Sequence, residues 1–112
     1  IGEYFNLYGY LCDTHTAVAV NVYDQYVKET GDTRPAVIAS TASPYKFAKS
    51  VLSAVTEKQA ETEFDNVRLL SELTSTEIPE PIKALENATV RFNEVCEKQD
   101  MLKSVYNALN IK

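Results

Sequence analysis

Residues 35–41 read PAVIAST, and this stretch decides the fold class that the sequence predicts. The run is too continuously apolar for a strand with one wet face, so it predicts a β-strand buried on both faces, as in a parallel sheet. It leads into Ala42-Ser43-Pro44, where Ser43 is a suitable N-cap and Pro44 fits the first turn of a helix. The sequence therefore predicts a strand, a tight loop and a helix in succession.

Upstream of this unit the sequence predicts two helices. Residues 2–8 are apolar and aromatic and are followed by Gly9, which is typical of a short helix closed by a left-handed glycine. Asp13 is a good N-cap for a second helix over residues 14–30, which Gly31 is expected to end. The apolar positions of that second helix fall on one face: Ala19, Val22, Tyr23, Tyr26 and Val27.

Downstream, helical spacing of apolar residues predicts a helix from Pro44 to about Val55 and another over residues 64–73. Pro81 is expected to start a short helix through Leu85, and residues 101–109 form the last helix. A weaker alternation over residues 87–95 predicts a second strand or extended segment. The expected fold class is therefore α/β, a predominantly helical chain with one or two strands.

Composition excludes several classes of function. The 112 residues carry a formal charge of -5, and the 11 lysines and arginines are scattered, so nucleic acid is not an expected partner. Apolar runs fall far short of the roughly 20 residues that span a bilayer, and we expect a soluble, cytoplasmic protein with no membrane partner. Cys12 and Cys96 form no CxxC pattern, so no metal site or disulfide is expected. Because the sequence opens on Ile1, we expect it to begin inside a longer chain.

Candidate ligand-binding residues lie where the predicted strand ends. In open α/β sheets, ligands bind outside the carboxyl ends of strands, which draws attention to Ser40 and Thr41. The alternative is that these hydroxyls only form a turn or cap the next helix. His15 could pair with Ser40 or Ser43, but a lone histidine in the first turn of a helix is more often a structural hydrogen bonder. Spacing alone leaves these alternatives open.

Three stretches carry a family resemblance. Residues 13–19, DTHTAVA, resemble the DPHTAVA segment of the microbial threonine synthases, and residues 40–47, STASPYKF, resemble their STAHPAKF segment. Residues 78–96 are similar to the later IPxPL and VRFTEVC region of that family. The chain departs from the family pattern at three positions, with Thr14 in place of proline, Ser43 in place of histidine and Tyr45 in place of alanine.

The resemblance implies a fold-type-II enzyme that uses pyridoxal 5'-phosphate, a lyase of threonine biosynthesis. Such an enzyme converts O-phospho-L-homoserine and water into L-threonine and phosphate. By position, Thr41 is expected to face the pyridine nitrogen of the cofactor, with Ser40 as the second choice. Lys46 and His15 are expected to face the substrate phosphate, although Lys46 equally suits a solvated position in the first turn of a helix.

The resemblance also implies what this sequence lacks. Nothing in it matches the family's cofactor lysine, which belongs to a motif far upstream, and Lys46 is not expected to take that role. No glycine-rich phosphate loop is present either. We therefore expect residues 1–112 to be a single C-terminal fragment of a longer threonine synthase, without catalytic residues of its own and inactive alone.

A hypothesis from another class remains open. The chain could be an acidic helical module that binds a protein partner through an apolar face. In either case, the unpaired edges of the strand at residues 37–40 are expected to favour self-association of the isolated chain.

Overall fold

The structure is a computed structural model that describes residues 1–111, and every regular element in this range is helical. Its α-helices are α1 (Gly2–Tyr8), α2 (Thr14–Thr30), α3 (Ala48–Val55), α4 (Glu63–Thr74), α5 (Glu80–Leu85) and α6 (Met101–Ala108). Two short 3₁₀ helices, Pro44–Phe47 and Lys98–Asp100, lead directly into α3 and α6. The prediction of a predominantly helical chain is confirmed.

The two predicted strands are absent from residues 1–111, and that part of the prediction is wrong. No backbone hydrogen bond joins residues 35–41 to another described segment, and Val37 is 98% exposed. Residues 87–95 are exposed as well, with Phe92 at 84%. A strand exists only through pairing with a neighbour, and the described residues supply none. The parallel sheet, and with it the fold-type-II architecture, is therefore not found in this part of the chain.

The helix ends follow the capping residues that the sequence predicts. Gly9 ends α1 with φ of 66° and Gly31 ends α2 with φ of 69°, a left-handed conformation that glycine adopts without steric cost. Asp13 caps α2 by accepting from two backbone amides, and Ser43 caps the 3₁₀ helix that precedes α3. The predicted boundaries of these helices are therefore confirmed.

The hydrophobic core lies mainly between α3 and α4. Helical spacing brings Val51 and Leu52 of α3 against Val67 and Leu70 of α4, and Val51, Leu52 and Leu70 are fully buried. Burying a side chain of this size contributes about 1.5–3 kcal/mol. Three residues outside the two helices or at their edge complete the core: Leu11, Tyr45 and Ala48.

The apolar face predicted for α2 is mostly open to solvent. Thr16 is the buried residue of this helix, whereas Val22 is 58% exposed and Tyr26 is 45% exposed. The pattern correctly predicts a helix, yet Ala19, Val22 and Tyr26 of its apolar stripe are exposed, and Tyr23 and Val27 are half-buried. This face is therefore available to a further segment or partner.

The molecule is elongated, with principal extents of 59 × 35 × 23 Å. Its radius of gyration is 19.0 Å, against about 13 Å for a compact chain of this length. The accessible surface is 8989 Å², compared with about 6,200 Å² for a folded monomer of this mass. The excess comes in part from residues 86–103, which are all exposed and lie away from the core.

Among residues 1–111, no helix has both the length and the hydropathy needed to cross a bilayer.

Candidate functional site

The two motifs near residues 13–19 and 40–47 meet at the N-terminus of α2. Ser40 is 24 positions from Thr16 in the sequence, yet Thr16 Oγ1 and Ser40 Oγ lie 2.9 Å apart. The contact places the end of the extended segment directly beside the start of α2. Of the residues that the sequence predicts for a site, His15 and Ser40 both contact Asp13, His15 at Oδ1 and Ser40 at Oδ2.

Asp13 lies at the centre of this cluster and is completely buried. Its Oδ1 accepts from the backbone amides of His15 at 2.9 Å and Thr16 at 3.4 Å, as an N-cap residue does. The ring Nδ1 of His15 is 3.2 Å from the same oxygen. These contacts fix the orientation of the carboxylate at the end of the helix.

The second carboxylate oxygen of Asp13 faces two hydroxyls. Oδ2 accepts a short hydrogen bond from Thr16 Oγ1 and a longer one from Ser40 Oγ, at 3.4 Å. Thr16 is buried, so the carboxylate and this hydroxyl are both shielded from water. Both oxygens of the buried carboxylate therefore accept hydrogen bonds, Oδ1 from the first turn of α2 and Oδ2 from the hydroxyls of Thr16 and Ser40.

Opposing effects act on the pKa of Asp13. Burial raises it, because moving a charge away from water is costly. Hydrogen bonds from the Thr16 hydroxyl and from the amides of His15 and Thr16 outweigh that effect, so the pKa lies below its usual value of 3.8. Asp13 is therefore a carboxylate at neutral pH and acts as an acceptor at both oxygens.

Thr41 differs from its neighbour Ser40 in its surroundings. It is exposed, and its hydroxyl forms no hydrogen bond within residues 1–111. The hydroxyl of Ser40 is directed at the buried cluster. The hydroxyl of Thr41 neither donates nor accepts a hydrogen bond in the described part of the chain. The two candidate hydroxyls thus have different environments.

Lys46 and His15 share one aromatic neighbour, Phe47. The Nζ of Lys46 lies 5.7 Å from the centre of the Phe47 ring, within the range of a cation–π contact. The His15 ring lies 5.1 Å from the same centre, tilted by 58°. Both polar side chains are exposed, His15 by 67%, so they are free to meet an anion from solvent.

Two departures from the resembled motif have structural roles here. Ser43 accepts from the amide of Tyr45 at 3.3 Å and starts the 3₁₀ helix. Tyr45 is buried, and its hydroxyl donates to the carbonyl of Thr76 at 2.9 Å. Serine and tyrosine therefore secure the loop to the core at positions where the resembled family has histidine and alanine.

An open groove of about 410 Å³ adjoins the cluster. Thr16 lines it and so does Ile38 from the extended segment, which places the groove next to Ser40. Three tyrosines form much of the remaining wall: Tyr4, Tyr8 and Tyr10. The groove therefore presents aromatic surface and hydroxyl groups next to the buried cluster.

Sequence reasoning identified Asp13 as a helix cap but missed its contact with Ser40 and the burial of Thr16. One signal could have suggested the latter: Thr16 is a polar residue three positions after an acidic cap, where its hydroxyl can reach back to the cap. The partner across the loop gives no such local signal, because contacts over more than 20 residues depend on the fold.

Comparisons with known proteins agree with the motifs. A family model described as "Threonine synthase, C-terminal" matches residues 16–105, which include Ser40, Thr41 and Lys46. Asp13 and His15 lie immediately before the matched range. A search of curated proteins finds no match.

Proposed function

The chain belongs to the threonine synthase C-terminal family, and we propose that it forms one wall of the active site of a threonine synthase. The reaction would convert O-phospho-L-homoserine and water into L-threonine and phosphate, with pyridoxal 5'-phosphate as cofactor. The observation that carries this proposal is the contact between Ser40 and the Asp13–Thr16 pair. It joins the two motifs that resemble the family at the N-terminus of α2.

The hydroxyl pair suits the ring nitrogen of the cofactor, whose conjugated ring withdraws electrons from the substrate when it is bound. We assign Thr41 to the nitrogen and Ser40 as the second candidate, because the Thr41 hydroxyl is exposed and has no partner within residues 1–111. A neutral hydroxyl that donates to this nitrogen cannot keep it protonated as a carboxylate would. Asp13 is buried behind Ser40 and does not provide such a carboxylate at the surface.

The basic side chains near Phe47 suit the phosphate of the substrate. Lys46 supplies an ammonium group on an exposed side chain, and the His15 ring contacts the same aromatic ring. A charge-assisted hydrogen bond from an ammonium group to phosphate is about twice as strong as a neutral one. We assign both residues to substrate binding rather than to proton transfer.

The described residues fit only part of the cofactor. Ser40 and Thr41 supply hydroxyls, but residues 1–111 contain no glycine-rich loop at a helix N-terminus to hold the cofactor phosphate. Lys46 is assigned to the substrate and not to a covalent bond with the cofactor. The proposal is therefore that further sequence of a longer threonine synthase supplies the lysine and the phosphate loop, and that residues 1–112 alone are inactive.

The test uses the intact enzyme and three variants, numbered as in this chain. Thr41→Val should raise the dissociation constant of pyridoxal phosphate about tenfold, the loss expected for one hydrogen bond to a ligand. Lys46→Ala should raise KM for phosphohomoserine and leave kcat nearly unchanged, because it removes binding common to ground and transition states. Lys49→Ala is the matched control, an exposed lysine on the following turn. Release of phosphate by the 112 residues alone would overturn the assignment of an inactive fragment.

A second function has support from the exposed apolar surface. Residues 90–109 leave several large apolar side chains open, among them Phe92 at 84% and Val95 at 96% exposure. Such a surface suits a protein-interaction module, and it also suits self-association of the isolated chain. Sedimentation over a wide range of concentration tests the latter, and a monomer throughout would count against it. An intact gene product without threonine synthase activity would favour the interaction module.

A further inference from the structure

The extended segment at residues 35–42 has one polar anchor within the described part of the chain. No backbone hydrogen bond joins these residues to another described segment, and the side-chain hydrogen bonds that leave the segment are those of Ser40. Without a paired strand, such a segment has few contacts to hold its conformation. The contacts of Ser40 are therefore decisive for where residues 40 and 41 lie.

The Asp13 carboxylate, which accepts the hydrogen bond from Ser40, is itself held in a fixed orientation. Asp13 is fully buried, and its Oδ1 is fixed by the amides of His15 and Thr16 in the first turn of α2. This leaves Oδ2 directed at the hydroxyls of Thr16 and Ser40. Hydrogen bonds to a buried carboxylate are stronger than those between neutral groups.

We infer that Asp13 is a positioning residue, which ties the Ser40 hydroxyl to the start of α2 and so leaves the Thr41 hydroxyl to meet the ligand. A serine hydroxyl has one proton, and Ser40 Oγ donates it to Asp13 Oδ2 at 3.4 Å, while Thr16 Oγ1 lies 2.9 Å from Ser40 Oγ. Thr41 follows Ser40 directly and is exposed. The tether gives the two neighbouring hydroxyls different roles, a structural role for Ser40 and a ligand-binding role for Thr41.

The assignment of Thr41 rests on the proposed function, whereas the tether does not. The first experiment therefore measures backbone order of residues 38–42 by ¹⁵N relaxation in the 112-residue chain, without any cofactor. Ser40→Ala and Asp13→Ser should lower the order parameters from about 0.8 to below about 0.6. Asp13→Ser keeps an N-cap oxygen of comparable strength but lacks the second oxygen. Thr41→Val is the matched control and should leave the order parameters unchanged.

Ser40→Thr keeps the hydroxyl and should restore the order that Ser40→Ala removes. If residues 38–42 stay ordered in both Ser40→Ala and Asp13→Ser, the tether is overturned. Ser40→Ala changes an exposed residue outside the core, so it serves as the test even if Asp13→Ser fails to fold.

The second experiment uses the intact enzyme and follows the visible spectrum of bound pyridoxal phosphate as well as its dissociation constant. Thr41→Val should shift the spectrum and its pH dependence. Ser40→Ala should weaken binding about tenfold without that spectral shift, and Ser40→Thr should restore the affinity. A spectral shift in Ser40→Ala but not in Thr41→Val would overturn the assignment of Thr41. If the intact enzyme binds no cofactor, the proposed function fails while the relaxation data still decide the tether.

Discussion

The hydroxyl of Tyr4 lies 2.8 Å from Oδ1 and 2.9 Å from Oδ2 of Asp24, and this contact joins α1 to α2. The hydrogen bond to the carboxylate raises the pKa of Tyr4 to about 12, because ionisation would place two negative charges together. A raised pKa in the folded state means that the contact contributes its full stability below pH about 10 and loses it as the pH approaches 12. Asp24→Asn should therefore lower the pH at which Tyr4 ionises.

Ultraviolet absorbance of ionised tyrosine measures this shift. The difference between the chain and its Tyr4→Phe variant isolates the titration of Tyr4, and Tyr8→Phe provides a matched control on the same helix. A Tyr4 titration that is unchanged in Asp24→Asn would contradict the contact.

Gly2 permits the close approach of α1 to α3. A Cβ added at this position would lie 2.1 Å from the carbonyl oxygen of Ala54, which belongs to the backbone and cannot rotate away. We expect Gly2→Ala to destabilise the chain by about 1–3 kcal/mol, as other overpacked substitutions do. Urea unfolding measures the change. Glu3→Ala, at an exposed position of the same helix, should change stability by about 0.5 kcal/mol or less, and equal values for the two variants would argue against the close approach.

Tyr45 contributes both apolar burial and a buried hydrogen bond. Its hydroxyl meets the carbonyl and the side-chain oxygen of Thr76, at 2.9 and 2.7 Å, and the residue is 4% exposed. Tyr45→Phe should cost about 1 kcal/mol, because it removes one buried hydrogen bond while the Ser71 hydroxyl still donates to the Thr76 carbonyl. Tyr26→Phe, which removes an exposed hydroxyl from Asp32, should cost about 0.5 kcal/mol or less. Thermal unfolding compares the two, and a Tyr45→Phe variant as stable as the unaltered chain would refute the role of the hydroxyl.

The helices could be predicted because their signals are local. Asp13, Gly9 and Gly31 act on amides and carbonyls within one turn, so a reader of the sequence sees both the cap and what it caps. The amphipathic spacing that buries Val51 and Leu70 is local in the same sense. Each of these helices forms where the pattern places it.

Local signals of this kind could not decide whether the predicted strands form. The run at residues 35–41 has the composition of a buried strand, but pairing requires a neighbour, and residues 1–111 contain no strand to pair with. The same dependence on the fold limits prediction of the site. Spacing alone does not separate the roles of Ser40 and Thr41, and the approach of Thr16 and Asp13, from 24 and 27 positions away, gives their hydroxyls different environments.

Asp13 also predicts how the chain responds to acid. Burial raises its pKa, but the hydrogen bonds from Thr16 and His15 lower it by more, so the folded-state pKa lies below 3.8. A depressed pKa means that the stability contributed by Asp13 is present above pH about 4 and is lost as the pH falls through the folded-state value.

Asp13→Asn retains a good N-cap and removes the titration. As the pH falls from 7 through the folded-state pKa of Asp13, the free energy of unfolding measured in urea should therefore decrease less for Asp13→Asn than for the unaltered chain. Asp100→Asn, the same substitution at an exposed position outside the cluster, is the matched control. Parallel curves for Asp13→Asn and the unaltered chain would mean that the carboxylate is not held in its charged form by the cluster around Ser40.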